Sequence, residues 1–544
     1  MYPGTPYWLL GTAIIALPIA VPIIAVLATF FSPAGDVWQH LRSTVLPSYV
    51  VNTVVLLVWV AVISGVVGVG CAWLVASRDF PGRRLFTWAL ILPFATPAYV
   101  VAYAYADFLD YSGPLQSALR ELSLLEGALP SIRSMPGACL VLGFVLYPYV
   151  YLLAYTAFAH QSRPLCEAAQ TLGAQRTPTF FRIALPMARP AIAGGLMLAL
   201  MEAAADFGVV EFYGVPTLTN GIFRTWYAQG EHQAALQMAG WLFVIVAMLV
   251  VFEQLSRRGL HSNPVSRDTA APLAPIVGSK KLVATLLCSV PLILGFLLPV
   301  SILAYQAWTT GDPLLGTEFS RFTANSVWVG SIAAVLATLA AMCLAYAGRM
   351  ADRPGTKGGI AVRVGIRTAT LGYALPGMVL AMGLIGPLTG LDKWLAHTLN
   401  VYFDMQVGLL ITGSVALLVF VYLARFMAVA FNSCESGLKR VHSQYDDAAR
   451  SLGARPREVL MKVHVPLMLP SLSVAFLLVF IDVIKELPAT LILRPFNFET
   501  LATRAYRLAS DERLAEASTA SLSILLVGLV PTILLAMQTF KRRH

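Results

Sequence analysis

Two pairs of carboxylates lie inside stretches of the sequence that are otherwise apolar enough to cross a membrane. Glu202 and Asp206 are four residues apart, as are Asp482 and Glu486, so each pair is predicted to share one helix face. A carboxylate inside a membrane costs about 2.5–3.5 kcal/mol on insertion scales, so it normally faces protein or water. Because hard oxygen donors suit hard cations, the two pairs predict an acidic stretch of a path for a cation.

An alternative interpretation gives these carboxylates a structural role near the outer ends of their spans. Their partners would then be Arg224, Arg504 or Lys485. Under the path interpretation, binding must be weak and transient, because a cation that is held strongly does not leave again.

A second set of residues occurs twice in the chain at a constant spacing of 280 positions, as from 167 to 447. The pattern predicts a short helix, a turn at a glycine that can adopt the left-handed conformation, and a second helix that re-enters the membrane at a proline. Two copies of one unit at a fixed spacing indicate a duplicated architecture. The first copy contains Glu167, Ala168, Ala169, Gly173 and Pro186, and the second contains Asp447, Ala448, Ala449, Gly453 and Pro466.

The composition shows which elements must position these residues. The chain has 544 residues, of which 58% are hydrophobic and 12% are charged, and its mean hydropathy is +0.72. Soluble domains carry about 25% charged residues, so the sequence predicts a polytopic membrane protein without a soluble enzyme domain. At ~20 apolar residues per span, the predicted spans are residues 9–31, 51–76, 85–108, 136–159, 190–212, 236–254, 282–308, 325–347, 361–388, 406–430, 468–493 and 516–540.

Arginines and lysines are concentrated in the loops after the second, fourth, sixth, eighth and tenth predicted spans and at the C-terminus, which all fall on one side of this twelve-span topology. The positive-inside rule makes that side the cytoplasm, and both termini are then cytoplasmic. Topology therefore accounts for the net charge of +10, and we expect no nucleic acid partner.

The chain is predicted to consist of two halves. Residues 1–255 form the first, with its loop near 163–189, and residues 282–544 form the second, with its loop near 439–468; a polar cytoplasmic linker, 256–281, joins them. Both loops follow an even number of spans, so the repeat is parallel, with its axis along the membrane normal. The predicted fold class is an all-α polytopic membrane protein with two parallel six-helix repeats.

The repeated loops resemble the signature loop of the permease subunits of binding-protein-dependent ABC importers, through the Glu-Ala-Ala, Gly and Ile-x-Leu-Pro pattern. The segment from Asp482 to Arg504, and Ala205-Asp206-Phe-Gly-Val-Val in the first half, are similar to segments of fused two-half permeases assigned to ferric iron uptake. This resemblance implies the type I permease fold of ABC importers and a place in the bacterial inner membrane.

The resemblance also implies a division of labour between chains. Each loop would form a coupling helix on one of two copies of an ATP-binding subunit, with Glu167 or Asp447 pairing with a basic residue there. A periplasmic ferric-binding protein would deliver the cargo. ATP would be held by the partner and no cofactor by this chain, whose sequence contains no G-x-x-x-x-G-K-[ST] loop.

Two alternatives remain open from the sequence. The same permease role is compatible with thiamine, a polyamine or a phosphonate as cargo. A secondary transporter would use the intramembrane carboxylates for proton coupling, but an ion-coupled carrier has no need of two matching cytoplasmic loops.

Overall fold

The computed structural model is almost entirely helical. It describes residues 5–33, 35–124, 126–159, 169, 176–257, 274–352, 358–405 and 408–540. The helices of the first half are α1 (Thr5–Phe30), α2 (Asp36–Thr44), α3 (Leu46–Ser77), α4 (Arg83–Ala89), α5 (Ala98–Leu109), α6 (Pro114–Glu121), α7 (Met135–Ala157), α8 (Arg176–Thr179), α9 (Leu185–Ala205), α10 (Gly208–Phe212), α11 (Leu218–Tyr227) and α12 (His232–Arg257).

The second half contains a matching series of helices. These are α13 (Lys280–Leu292), α14 (Leu298–Thr309), α15 (Thr317–Ala351), α16 (Gly359–Thr370), α17 (Gly377–Phe403), α18 (Val415–Lys439), α19 (Ser443–Ser451), α20 (Pro456–Val459), α21 (Val465–Ile484), α22 (Pro488–Leu493), α23 (Leu501–Ser510) and α24 (Leu514–Phe540). In the described part of the chain, strands occur only as a two-residue parallel pair, β1 (Arg78–Asp79) with β2 (Ala274–Pro275). The C-terminal end of the predicted linker is therefore paired with the loop after α3.

The helices confirm a multi-pass membrane protein. Ten helices of the described residues are long and apolar enough to cross a membrane, and the number rises to 12 if each of two bent helix pairs counts as one span. The bent pairs replace the third and ninth predicted spans. Arg83–Ala95 meets Ala98–Glu121 at 90°, and Gly359–Tyr373 meets Gly377–Phe403 at 114°. The predicted spans 85–108 and 361–388 are therefore each broken by a sharp bend.

A proline at each bend gives the physical reason. Pro97 and Pro376 directly follow Thr96 and Leu375, whose backbones are extended, with ψ of 121° and 134°. A proline ring excludes the helical conformation from the residue before it. The chain therefore leaves one helix and begins the next at a new angle in both halves.

Prolines also account for three widened turns. The five-residue π-helical turns Phe180–Ala184, Ile293–Leu297 and Leu460–His464 end two residues before Pro186, Pro299 and Pro466, respectively. Proline lacks an N–H and its ring displaces the carbonyl of the preceding turn, so the ladder of hydrogen bonds must shift there. The first and third turns lie 280 positions apart and connect the repeated loops to α9 and α21.

The helices pack into two compact units. Unit 1 contains the described residues of Met1–Gly35, Glu231–Gly240 and Leu314–Arg504. In this unit, α15, α18 and α21 pack against one another, and α1 packs against α15, α16 and α17. The N-terminal helix thus belongs to the same compact unit as most of the second half.

Unit 2 contains the described residues of Asp36–Gly230, Trp241–Pro313 and Ala505–His544. Its centre is formed by α3, α7 and α9, while α5 packs against α14 and α24. Small residues let α3 and α7 approach closely. A Cβ added at Gly68 would lie 2.7 Å from Val150 Cβ and 3.0 Å from the Tyr147 carbonyl oxygen.

We therefore expect Gly68→Val to force α3 and α7 apart and to lower the thermal unfolding midpoint of the purified protein. Overpacking of this kind costs about 1–3 kcal/mol. Gly70→Val is the matched control, because Gly70 lies on the same helix and a Cβ added there would meet no atom within 4 Å. Equal midpoints for the two variants would contradict close packing at Gly68.

Candidate functional site

The first carboxylate pair lies where α9 ends. Glu202 is half-buried in the last turn of α9, and the helix ends at Ala205. Asp206 is extended, with φ of −65° and ψ of 129°, and its Oδ1 accepts a hydrogen bond from the Val209 backbone N–H at 3.0 Å. The prediction that Glu202 and Asp206 share one helix face is wrong, because Asp206 ends one helix and caps the next.

The second pair repeats this arrangement. The helix α21 ends at Ile484, and Glu486 Oε1 accepts from the Ala489 backbone N–H at 3.2 Å. Asp482 is in the last turn of α21, 2.8 Å from Lys485 Nζ. Asp482 and Glu486 are both buried. The shared-face prediction is wrong here as well, and the predicted spans 190–212 and 468–493 are each interrupted at the second carboxylate.

Asp206 and Glu486 occupy equivalent positions, 280 residues apart, and each satisfies an N–H at the start of a short helix. A carboxylate is favoured at that place because it accepts from free N–H groups and complements the positive end of the helix dipole. Of the three predicted cationic partners, Lys485 contacts one of the paired carboxylates, Asp482. Arg224 instead lies 3.7 Å from Glu211.

Glu486 has a buried partner that the sequence did not identify. Arg425 Nη1 lies 3.0 Å from Glu486 Oε1, and the two side chains are only 7% and 5% exposed. The Thr490 hydroxyl donates to the Glu486 carbonyl at 2.7 Å and lies 2.5 Å from the Tyr422 hydroxyl. A Cβ at Gly377 would collide with both charged groups. Glu486 is therefore held within a packed ionic network.

From the sequence, Arg425 is predicted to lie in a span and to face the bundle or the cytoplasmic interface. Its partner Glu486 is 61 residues away, and no local sequence pattern predicts a contact over that separation. The equivalent position in the first half, 280 residues earlier, is Val145. Asp206 thus has no arginine at the matching place, and the two halves differ in charge although they share a backbone plan.

Aromatic residues surround Asp206 in unit 2. Gly208 lets the Tyr99 side chain pack directly on the break after α9, and the Tyr99 and Tyr103 rings are 5.7 Å apart. Asp206 lies within electrostatic range of Tyr103. Tyr103 is 2% exposed, and its hydroxyl has no hydrogen-bond partner among the described residues. These phenols are not predicted from the sequence, because only the fold brings α5 to the end of α9.

This region offers oxygen donors rather than a preformed metal cage. Within the described ranges, no three His, Cys, Asp or Glu side chains come together in a way that could hold a metal ion. The donors near the break are the Asp206 carboxylate and tyrosine hydroxyls. Phenol and carboxylate oxygens are hard donors that suit hard cations.

The second repeated loop forms the predicted helix–turn–helix. After α19 (Ser443–Ser451), Gly453 adopts the left-handed conformation with φ of +83°, and α20 begins at Pro456. The sequence showed no capping side chain at Arg455, yet Glu458 Oε2 accepts from the Arg455 backbone N–H at 2.8 Å. The capping group therefore comes from three residues further along the chain.

Buried polar contacts fix this loop to unit 1. Asp446 is 1% exposed and lies 2.6 Å from His464 Nε2 and 2.9 Å from Arg349 Nε. Arg349 Nη1 also donates to the Leu438 carbonyl at 2.8 Å. The repeated pattern predicts Asp447 as the acidic residue of the loop. The structure places Asp447 on the surface and Asp446 in the interior, so the neighbouring carboxylates have different tasks.

The remaining predicted loop residues are placed as follows. Ala448 and Pro466 are exposed and Ala449 is half-buried. In the first loop, Ala169 is helical and half-buried, and Pro186 is half-buried in the first turn of α9. Glu167, Ala168 and Gly173 lie outside the described residues, so their geometry stays a prediction.

Two segments of the chain match one protein family, described as binding-protein-dependent transport system inner membrane component. The matches cover residues 64–253 and 356–544, and each contains one repeated loop and one carboxylate pair. The chain belongs to this family. Membership makes it a permease subunit of a transport system and implies a substrate-delivering binding protein and an ATPase as partners.

Individual relatives differ in the cargo that they are named for. The permease is 25% identical to the Fe(3+)-transport system permease protein FbpB 2 of Haemophilus influenzae, over 98% of this chain and 99% of the relative. It is 28% identical to a probable sulfate permease of Chlorokybus atmophyticus, over 37% of this chain and 70% of the relative. It is 31% identical to the spermidine/putrescine permease PotB of Escherichia coli, over 27% of this chain and 54% of the relative.

The buried pair of Arg425 and Glu486 leads to a test of stability in the permease. Removing one partner of a buried ion pair leaves an uncompensated charge and costs about 3–5 kcal/mol. We therefore expect Arg425→Met to lower the thermal unfolding midpoint of the purified permease strongly.

The double variant Arg425→Met/Glu486→Gln is the control for this experiment. It should recover most of the loss, because no buried charge is left without a partner. If the double variant is as unstable as the sum of the two single variants, the pair is not energetically coupled.

Proposed function

We propose that this permease passes ferric iron from a periplasmic binding protein to the cytoplasm by alternating access. The observation that carries the proposal is the similarity to a ferric permease, which extends over 98% of this chain and 99% of the relative. The sulfate and polyamine permeases match only part of the chain. A match over 98% of the chain extends over both halves and beyond the repeated loops.

The chemistry around the break after α9 supports a hard cation as cargo. Asp206 has no arginine equivalent to Arg425, and Tyr103 presents a buried hydroxyl nearby. We assign Glu202, Asp206 and Tyr103 to the translocation path. Binding there would be weak, because conduction requires that the ion leaves again.

In the second half the carboxylates are compensated by neighbouring cations. Asp482 pairs with Lys485, and Glu486 pairs with Arg425. A compensated carboxylate attracts a cation less strongly, so we assign Glu486 to the scaffold. Asp482, whose lysine partner is 18% exposed, remains in the proposed path.

We further propose that each repeated loop docks on one of two copies of an ATP-binding subunit. In the second loop, Asp447 and Leu452 are exposed, with Leu452 at 89%, while Asp446 is fixed to Arg349 and His464. An exposed surface on a firmly held helix suits the transmission of movement through a small interface. ATP would bind to the partner subunit, and this chain would bind no cofactor.

The proposal includes the orientation in the bacterial inner membrane. The loops, the linker and both termini would lie in the cytoplasm, on the side that the basic residues indicate. The binding protein would dock on the opposite side.

A polyamine is the second candidate cargo. The observation in its favour is the 31% identity to the spermidine/putrescine permease over 27% of this chain. An acidic path with neighbouring tyrosines would also attract a polyamine, because tyrosine rings bind ammonium groups through cation–π contacts. Competition between the two cargoes in one uptake assay separates the candidates.

We expect deletion of the gene to abolish uptake of radiolabelled ferric iron by iron-starved cells, with uptake unaffected by excess spermidine. Restoring the permease with Tyr103→Phe should lower uptake several-fold without lowering the unfolding midpoint, because this hydroxyl makes no hydrogen bond among the described residues.

Tyr147→Phe is the matched control for this experiment. The Tyr147 hydroxyl is also buried and has no hydrogen-bond partner in the described part of the chain. Tyr147 is, however, a buried residue of α7 and is not among the residues assigned to the path. Unchanged uptake after deletion would contradict iron as cargo. Unchanged uptake with Tyr103→Phe alone would remove Tyr103 from the path and leave the cargo assignment standing.

The turn at Gly453 provides a separate test of coupling. At φ of +83°, a β-branched residue is disfavoured by about 1–2 kcal/mol. The population of the left-handed conformation relative to other conformations would then fall roughly 5–30-fold. We expect Gly453→Val to uncouple ATP hydrolysis from uptake in the reconstituted complex. The double variant Glu167→Ala/Asp447→Ala, which removes the acidic residues of the two loops, should have the same effect.

Gly453→Asn is the control, because asparagine tolerates the left-handed conformation. No atom lies within 4 Å of a Cβ at this position, so steric collision cannot explain a difference between the two variants. If Gly453→Val transports like the wild type, the shape of this turn is not needed for coupling.

A further inference from the structure

A charged cavity lies in unit 1 between α15, α16 and α18. Its volume is about 390 Å³, within the range of small-ligand sites, roughly 300–1,000 Å³. Its charged lining consists of four cations and two anions: Arg349, Arg363, Arg367, Lys439, Asp352 and Glu435.

The acidic residues of the cavity compensate only part of this positive charge. Arg363 lies 3.9 Å from Asp352, and Lys439 Nζ lies 2.9 Å from Glu435. Both pairs are exposed and therefore weak. The Arg367 carbonyl accepts from the Thr370 hydroxyl at 3.0 Å, but the Arg367 side chain has no hydrogen bond or ion pair within the described ranges. The cavity thus keeps an excess of positive charge.

Arg349 adds an unsatisfied donor to the wall of the cavity. Its side chain is 16% exposed, with Nε and Nη1 bound to Asp446 and to the Leu438 carbonyl. Its Nη2 is buried and has no acceptor among the residues that the structure describes. Buried donors normally have a partner, and a phosphate oxygen is a strong acceptor for a guanidinium.

The helix α16 places an apolar surface beside these cations. Arg363 and Arg367 are one turn apart, and so are Ile360 and Val364, which are 76% and 57% exposed. Apolar side chains exposed on a membrane protein contact acyl chains, while neighbouring arginines reach the headgroup level. A soluble anion would use only the arginines, whereas a lipid would use both surfaces.

We propose that this cavity binds the phosphate of an anionic phospholipid headgroup, with the acyl chains along Ile360 and Val364 of α16. Basic cavities between membrane helices are suited to anionic headgroups on the cytoplasmic side, the side that the basic loops predict for this end of α16. Free phosphate shares the headgroup chemistry but not the apolar contact.

The two arginines that α16 contributes to the cavity are not both repeated in the first half. With the offset of 279 that relates Pro97 to Pro376, Arg363 corresponds to Arg84 and Arg367 to Trp88. The first half therefore lacks the second arginine of the site, and the proposal predicts one such lipid per chain. Because Arg349 also holds Asp446, a bound headgroup would help to fix the arginine that anchors the second repeated loop.

The test is lipid binding to the purified, delipidated, full-length permease, measured by native mass spectrometry. We expect one phosphatidylglycerol per chain to be retained with about tenfold preference over phosphatidylcholine of the same acyl composition. Arg363→Gln/Arg367→Gln should abolish the preference, and Arg84→Gln, the equivalent cation of the first half, should keep it.

Two further arms distinguish the possible sources of the phosphate. Inorganic phosphate at millimolar concentration should not displace phosphatidylglycerol, and Ile360→Ser/Val364→Ser should weaken the lipid alone. If phosphate competes fully and the serine variant binds lipid normally, a soluble anion occupies the site and the lipid assignment is wrong.

A loss of folding would be recognised from the unfolding midpoint of each variant. Should the double arginine variant unfold, Arg367→Gln alone replaces it, because the Arg367 side chain has no partner to lose within the described part of the chain. Equal retention of the two lipids by the wild type, or an unchanged preference in the arginine variants, would overturn the proposal.

Discussion

The need to satisfy backbone polar groups inside a membrane governs this structure. An unpaired N–H or C=O group in hydrocarbon costs several kcal/mol, so a helix can break there only where protein groups replace its lost hydrogen bonds. The permease breaks α9 and α21 at equivalent places, and Asp206 and Glu486 each accept from an N–H of the helix that follows. Carboxylates that are costly in a membrane thereby make an irregular backbone possible.

The two halves use this shared backbone plan with different charges. Glu486 is paired with Arg425. In the first half, Val145 stands at the position equivalent to Arg425, so Asp206 has tyrosines nearby but no arginine there. A carboxylate whose charge is already paired with a buried arginine attracts a further cation less strongly. The two halves therefore share the geometry of the break but differ in the charge around its carboxylate, and this difference is the basis of the proposed path.

Local patterns in the sequence predicted the features that depend on neighbouring residues. The apolar stretches and the left-handed turn at Gly453 follow from residue types and spacing within about thirty residues. The repeat follows from comparing two such stretches that lie 280 residues apart. The bends at Pro97 and Pro376 were within reach of the same rules. The contacts of Arg425 with Glu486 and of Asp446 with His464 were not, because partners brought together by packing leave no local pattern.

The composition of unit 1 affects how the proposed coupling would work. Its described residues include α1 from the start of the chain, packed against α15, α16 and α17, and the second repeated loop is fixed to α15 through Arg349. Packed interiors respond to force as discrete bodies rather than by continuous deformation. A displacement of the second loop would therefore carry α1 with it, so the N-terminal helix would move with the second half although it precedes the first repeat in the sequence.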